Sequence, residues 1–245
     1  MGKRTLAVCM RVLRQISRDR RFLALSLAAP MMIIYIFKVA LDSFNVPFFD
    51  VSQFVVPIGA FVVHFITYVL CAIVLVRERT AQTLARMFVN GYRRADIICG
   101  YVLAYTCLAT LQTLLVLGEM SRLFHLGYHA ATLLSIYFVI WLLAVISIAL
   151  GIFVSNFART EGQVFPFIPL VTVPGVFLSG MWIPVDRLPI WAQWLSHATP
   201  LYYAIRIMRP LTHSETASLW PRVAPLVIYG TVVFILAMRT LRETD

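Results

Sequence analysis

What most constrains this chain is a succession of six apolar runs, each about as long as a bilayer is thick and nearly free of charge. Crossing about 30 Å of hydrocarbon takes roughly 20 residues of α-helix, the one open-ended element whose backbone groups are all bonded within the segment. The runs fall at residues 22–41, 54–76, 97–118, 130–154, 163–183 and 222–238. They predict an all-α integral membrane protein with six transmembrane helices, built as one transmembrane domain over residues 1–245. The composition agrees. Hydrophobic residues make up 60% of the chain and charged residues 13%, where a soluble domain carries about a quarter charged.

The charge that remains is distributed unevenly, and its distribution says more than its sum. The net charge is +10, but the arginines cluster beside the apolar runs, as anionic lipid favours, and not as a nucleic-acid surface. Residues 1–21 read as an amphipathic basic helix lying in the membrane interface. Leu6, Cys9, Met10, Leu13 and Ile16 recur at helical spacing, with Arg4, Arg11, Arg14, Arg18 and Arg21 on the other face. With the N-terminus inside, 15 of the 21 Lys and Arg fall on the cytoplasmic side and 6 on the other. The positive-inside rule therefore predicts both ends in the cytoplasm. The basic stretch is too long for a signal peptide, and no small-residue cleavage site follows the first apolar run, so that run is expected to stay as a span. Cys9, Cys71, Cys99 and Cys107 have no paired spacing, and three lie in or beside spans, so neither a disulfide nor a metal cluster is expected.

Several kinds of chemistry find no support. The only Gly-Lys pair is Gly2-Lys3, with nothing upstream to cradle a phosphate, so the chain is not expected to bind ATP through a P-loop. Ser179 with His197 could be cast as an intramembrane protease, but serine beside glycine in a span more often serves close helix packing. Glu119, His125 and His129 could hold a metal, yet they fall in an outer connection where polar groups meet water. His64 is the one mid-span imidazole, and a hydrogen bond to a neighbouring helix explains it more simply than proton transport. The near absence of ionisable groups in the spans argues against an ion-coupled carrier. A membrane-bound enzyme and a non-transporting assembly subunit remain as alternatives to a transport subunit.

Four stretches carry a likeness to a known family. Val76, Arg77, Glu78, Arg79, Thr80, Ala81, Gln82, Thr83 and Leu84 follow the second span, and 155–163 form a polar turn between spans four and five. Then come Phe177-Leu178-Ser179-Gly180, Pro184, Leu188-Pro189 and Trp191, followed by Pro200-Leu201-Tyr202-Tyr203 with Arg206 and Arg209. In order and spacing these resemble the membrane subunits of type-2 ABC exporters. Two positions depart: the usual glycine before the threonine is Gln82, and the usual following glutamate is Ala85.

The resemblance implies a half-transporter, in which two copies of this permease, or one with a related permease, each dock on a separate ABC ATPase. It implies that the partner binds ATP and Mg and that this chain holds no cofactor of its own. Arg77, Glu78, Arg79, Thr83, Leu84 and Met87 would form a short coupling helix against that ATPase. The charged residues would bond the partner, and Leu84 and Met87 would fill a groove on it. Residues 184–220 would form a short re-entrant helical pair, an outer gate involving Ser179, Gly180, Pro184, Leu188, Pro189, Trp191, Pro200 and Tyr203. Gly175, Ser179 and Gly180 would let spans approach closely there. The expected setting is the inner (plasma) membrane, with no nucleic-acid partner, and the expected cargo is a drug, lipid or glycan moved outward.

Overall fold

The computed structural model describes residues 2–43, 52–212 and 219–241. Among these residues every regular element is helical. The elements are α1 (Gly2–Arg18), α2 (Arg20–Ser43), α3 (Ser52–Thr80), α4 (Thr83–Val89), α5 (Arg94–Leu123), α6 (Ala130–Ser155), α7 (Glu161–Val164), α8 (Phe167–Leu178), α9 (Ile190–Ser196), α10 (Pro200–Thr212) and α11 (Leu219–Thr240). A 3-10 turn, Val185–Arg187, precedes α9. Six stretches are long and apolar enough to cross a membrane: Arg20–Ser43, Gln53–Thr80, Arg94–Leu123, Ala130–Ser155, Glu161–Leu178 and Pro221–Thr240. The acidic connection around Asp50, residues 213–218 within the outer segment and the tail beyond Leu241 lie outside the described residues.

The helices start and stop where local chemistry directs. Asp19 separates α1 from α2, and its Oδ1 accepts a bond from the Phe22 amide at 3.0 Å, an N-cap. α5 begins on a capping box, with the Arg93 amide donating to Asp96 Oδ2 at 3.3 Å. α6 is apolar all round, and from Ile136 to Ser155 it is largely buried, as such a helix must be to avoid an orphan face, while Leu134 near its start stays exposed. It packs on α3 above all, then on α11, α5 and α10. The α3–α6 approach is set by Gly151, where an added Cβ would lie 2.6 Å from the Tyr68 carbonyl oxygen and 2.9 Å from the Ala72 nitrogen. Gly59 against Met120, Gly100 against Val8 and Gly230 against Ile146 are equally tight. Small residues thus bring these helices together in the absence of a hydrophobic force between them.

Two expectations are corrected by this packing. The fifth span breaks at Phe165 and Pro166, as its prolines foretold, but its helix ends at Leu178 instead of Ile183. Ser179 caps that end, its hydroxyl donating to the Val176 carbonyl at 2.9 Å and accepting the Met181 amide at 3.3 Å. Gly180 follows at φ +83°, a turn-forming conformation that glycine adopts freely. Within the chain Gly175 is no close-approach point either, since a Cβ there meets nothing within 4 Å. α1 is the second case. Its contact face is Val8, Cys9, Val12 and Ile16, pressed on α5, while Leu6 and Met10 stay exposed. The apolar arc that the sequence presents is wider than the contact.

Residues 184–212 fold back on the bundle. α9 descends to the turn at 197–199, and α10 climbs away from it along α6, α3 and α11. The Tyr229 hydroxyl, near the middle of α11, donates to the Ala198 carbonyl at 2.8 Å, so the tip of the hairpin reaches well down the bundle. At the opposite end of α10, Arg209 donates to the Gly180 carbonyl.

Candidate functional site

The ends of α3, α6 and α11 and the start of α5 share one arginine-rich end of the bundle, and two adjacent residues tie that end together. Glu78 is 4% exposed. Arg11 Nη2 on α1 donates to its Oε2 at 2.7 Å, and the Thr83 hydroxyl donates to the same carboxylate. Arg11 Nη1 also donates to Met87 Sδ at 3.3 Å. Arg79 points the other way. Its Nη1 donates to the carbonyls of Ser155 at 3.0 Å and Ala158 at 2.8 Å, and its Nη2 to Asn156 Oδ1 at 3.1 Å. A cation at the C-terminus of α6 suits the helix dipole. Asn156 Nδ2 then reaches Thr240 Oγ1 at 2.9 Å, linking α11 to the joint.

α1 closes over the α3–α4–α5 turn at three further points. Arg4 Nη1 donates to the Gly91 carbonyl at 2.6 Å, the Thr5 hydroxyl donates to Asp96 Oδ1 at 3.3 Å, and Val8 abuts Gly100. The turn itself depends on Gln82, a non-glycine residue at φ +58°. That is the position where the resembling pattern carries glycine, and the left-handed backbone gives the reason. Below it α4 presents two faces. Leu84 and Met87 are buried inside this chain, whereas Arg77, Thr80, Ala81, Gln82, Arg86, Val89 and Asn90 are exposed, Val89 at 89%.

Of the residues expected to touch a partner, then, Glu78, Arg79, Leu84 and Met87 are engaged internally, and Thr83 is half-buried on Glu78. Only Arg77 of that set is exposed. The reason is geometric: a seven-residue helix folded back beside the end of α3 turns its apolar side inward, where Arg11 of α1 reaches Met87, which the sequence pattern could not show. Arg11, Arg4, Asp96 and Asn156 were missed as site residues because each meets its partner across 67 or more positions.

At the opposite end, the residues expected in an outer gate adjoin one another in the chain but do different work. Pro184 caps the 3-10 turn and Pro189 caps α9. The Leu188 carbonyl accepts Gln193 Nε2 at 2.9 Å. Pro200 is buried at the start of α10, and the Tyr203 hydroxyl donates to the His197 carbonyl at 3.0 Å, pinning the hairpin tip. Trp191, with Ile190 and Trp194, stands exposed on α9. Mid-bundle, His64 Nδ1 lies 2.6 Å from Ser147 Oγ on α6, the neighbouring-helix bond expected for a neutral imidazole. The Thr67 hydroxyl donates to Gln112 Oε1 at 3.2 Å. These groups are buried and bind helix to helix inside the chain.

Known proteins give this geometry its frame. Residues 3–212 match the ABC-2 type transporter family. The chain is 24% identical over 200 residues to the protein named "Probable multidrug ABC transporter permease YbhR" of Escherichia coli (strain K12), a match covering 79% of this chain and 54% of that one. It is 32% identical over 169 residues to "Nodulation protein J" of Rhizobium leguminosarum bv. viciae, covering 68% of this chain and 64% of that protein. The match to "ABC transporter G family member 20" of Dictyostelium discoideum is 26% over 176 residues, 69% of this chain and 24% of that one. The chain thus spans about half the length of the YbhR proteins it matches. A match running from the first helix through α10, on an all-helical bundle with six candidate spans, makes this chain a member of the ABC-2 type transporter family.

Proposed function

We propose that the chain is the membrane half of an exporter, driven by a separate ABC ATPase that docks on the exposed face of α4. The observation that carries this reading is the α3–α4–α5 turn, which is stiff on one side and bare on the other. Arg11, Glu78 and Thr83 lock it to the bundle, and Arg79 locks the same span end to α6 and α11. A push on α4 therefore moves several span ends as one body. Its free side offers Arg77, Arg86 and Val89, two cations beside an apolar tip, suited to an acidic-rimmed groove. ATP and Mg would be held by the ATPase, two copies of which would serve two copies of the permease.

In this reading the arginine-rich end faces the cytoplasm of the inner membrane, as the positive-inside rule favours. The cargo is a hydrophobic or amphipathic molecule (drug, lipid or glycan) moved outward. The name of one relative, a probable multidrug ABC transporter permease, supports a transport role without choosing among these cargoes. The test is co-purification of the tagged chain with its ATPase from native membranes. Arg86→Glu with Val89→Asp is expected to lose the ATPase while the chain still inserts and melts normally. Retention of the ATPase at the wild-type level by that double variant would refute the α4 dock.

A further inference from the structure

At the end of the bundle away from α4, α10 and α11 enclose an open cavity of about 450 Å³ lined by Tyr203, Arg206, Ile207, Pro210, Pro221, Arg222 and Pro225. Its size falls in the range of ordinary ligand pockets. Two arginines share it, and among the described residues no carboxylate is paired with either. Arg206 commits one Nη1 hydrogen bond to the Tyr202 hydroxyl at 3.2 Å. Tyr203 is committed to the His197 carbonyl and forms a wall. The end that holds this pocket is the one where arginine is scarce: only 6 of the 21 basic residues fall there. Two of those six face one cavity.

The prolines of the lining add a second kind of group. Pro210 sits inside α10 and Pro225 inside α11. A helical proline withholds the amide that would bond the carbonyl four residues earlier. The two carbonyls so deprived belong to Arg206 and Pro221, and both residues line the same cavity. The site thus brings two guanidinium forks beside two residues whose carbonyls lack their usual helical donor, walled by Ile207 and proline rings. Guanidinium forks match phosphate oxygens in shape and charge. Carbonyls left open beside them accept from a hydroxyl or ammonium group, and the apolar wall suits a glycerol or acyl stem.

From this geometry we infer that the α10–α11 cavity binds a phosphate-bearing polar headgroup, with Arg206 and Arg222 on the phosphate and the freed carbonyls on a neighbouring hydroxyl or ammonium. The site is independent of the ATPase dock and does not require that reading. Arg222 lies in the first turn of α11 and Arg206 about halfway along α10, so a long side chain can meet a headgroup at the membrane surface.

The test uses the full chain in a non-ionic detergent, with dioctanoyl phosphatidylglycerol binding measured by native mass spectrometry. The wild type is expected to hold one molecule saturably. Arg206→Gln and Arg222→Gln are each expected to weaken it by at least about tenfold, as loss of a charged hydrogen bond would, and the double variant to lose it. Arg187→Gln, an exposed arginine at the same end, serves as the control that keeps full binding. Arg206→Lys with Arg222→Lys, which preserves charge and fold, is expected to recover part of the affinity. Competition separates the sources of phosphate. Inorganic phosphate displacing the lipid at similar concentration makes the ligand a free phosphate and overturns the headgroup; displacement only by glycerophosphate lipids upholds it. Unchanged binding in the double glutamine variant, or equal loss in the Arg187 control, would overturn the site.

Discussion

Arg11 and Glu78 form one ion pair but stand to lose unequally if it is broken. The Glu78 side chain is 5% exposed and that of Arg11 37%. Without Arg11, a buried carboxylate keeps only neutral donors, Thr83 and Gln15; without Glu78, the guanidinium can turn toward water. Removing one partner of a buried pair is destabilising by on the order of 3–5 kcal/mol, much of it from the stranded charge. Arg11→Met is therefore expected to lower the melting temperature of the purified chain by several degrees. Glu78→Gln, which stays neutral and can still bond Thr83, should lower it by less than half as much. Arg11→Met combined with Glu78→Leu should recover most of the loss, because no charge is then left stranded. Differential scanning fluorimetry reads all three. Equal losses from the two single variants would mean that the pair behaves as a solvated surface contact.

Among the elements, the spans were legible in sequence because a run of about twenty apolar residues has few other uses. The six observed stretches each overlap one expected run, and most extend beyond it, since the polar groups that start and stop a helix, such as the Arg93–Asp96 cap, lie outside the apolar core. What sequence could not show is which side of an element would be covered. α4 has an apolar and a basic side, and either could have faced a partner; its packing beside the end of α3, with Arg11 bonded to Met87 76 residues away, decides it. Ser179-Gly180 read as a packing motif, whereas the φ of +83° at Gly180 makes it a helix stop. The close approach occurs instead at Gly151, where α3 and α6 meet backbone to backbone. Gly151→Leu is expected to force those two helices apart and to destabilise the chain by roughly 1–3 kcal/mol or more, the usual range for overpacking. Gly175→Ala, with open space around its Cβ, should be close to neutral. A thermal melt in detergent separates the pair, and a melting point unchanged by Gly151→Leu would show that the α3–α6 contact is not tight.

For the molecule as a whole, the question is what covers the spans that this chain leaves bare. α6 and α3 are enclosed, while α2, α8 and α11 are peripheral, with about a fifth of each apolar window buried. All three carry a helical proline, but in α2 the carbonyl so deprived belongs to buried Ser26 and in α11 to Pro221 in the first turn. In α8 it lies in the middle of an exposed face, which makes α8 the poorer lipid-facing helix. It makes few contacts with its own chain, and Pro174 lies inside it. That proline withholds the amide due to the Leu170 carbonyl, and Leu170 is exposed, so a backbone acceptor is left open on the outer side of the span. Such groups are tolerated at membrane depth where protein or an aqueous cavity receives them, and not against hydrocarbon. The exposed stripe of Leu170, Val173 and Phe177 continues toward the aromatic side of α9, with Trp191 and Trp194. This side is where a second copy of the permease is expected, with a path between the two. Cysteines placed singly at Val173 and Phe177, in a chain whose four native cysteines are replaced, should form disulfide-linked dimers under mild oxidation in membranes. A cysteine at Leu134, equally exposed but on α6, should not. Cross-linking at Leu134 with none along α8 would put the second copy on the other side of the bundle and leave the Leu170 carbonyl needing another explanation.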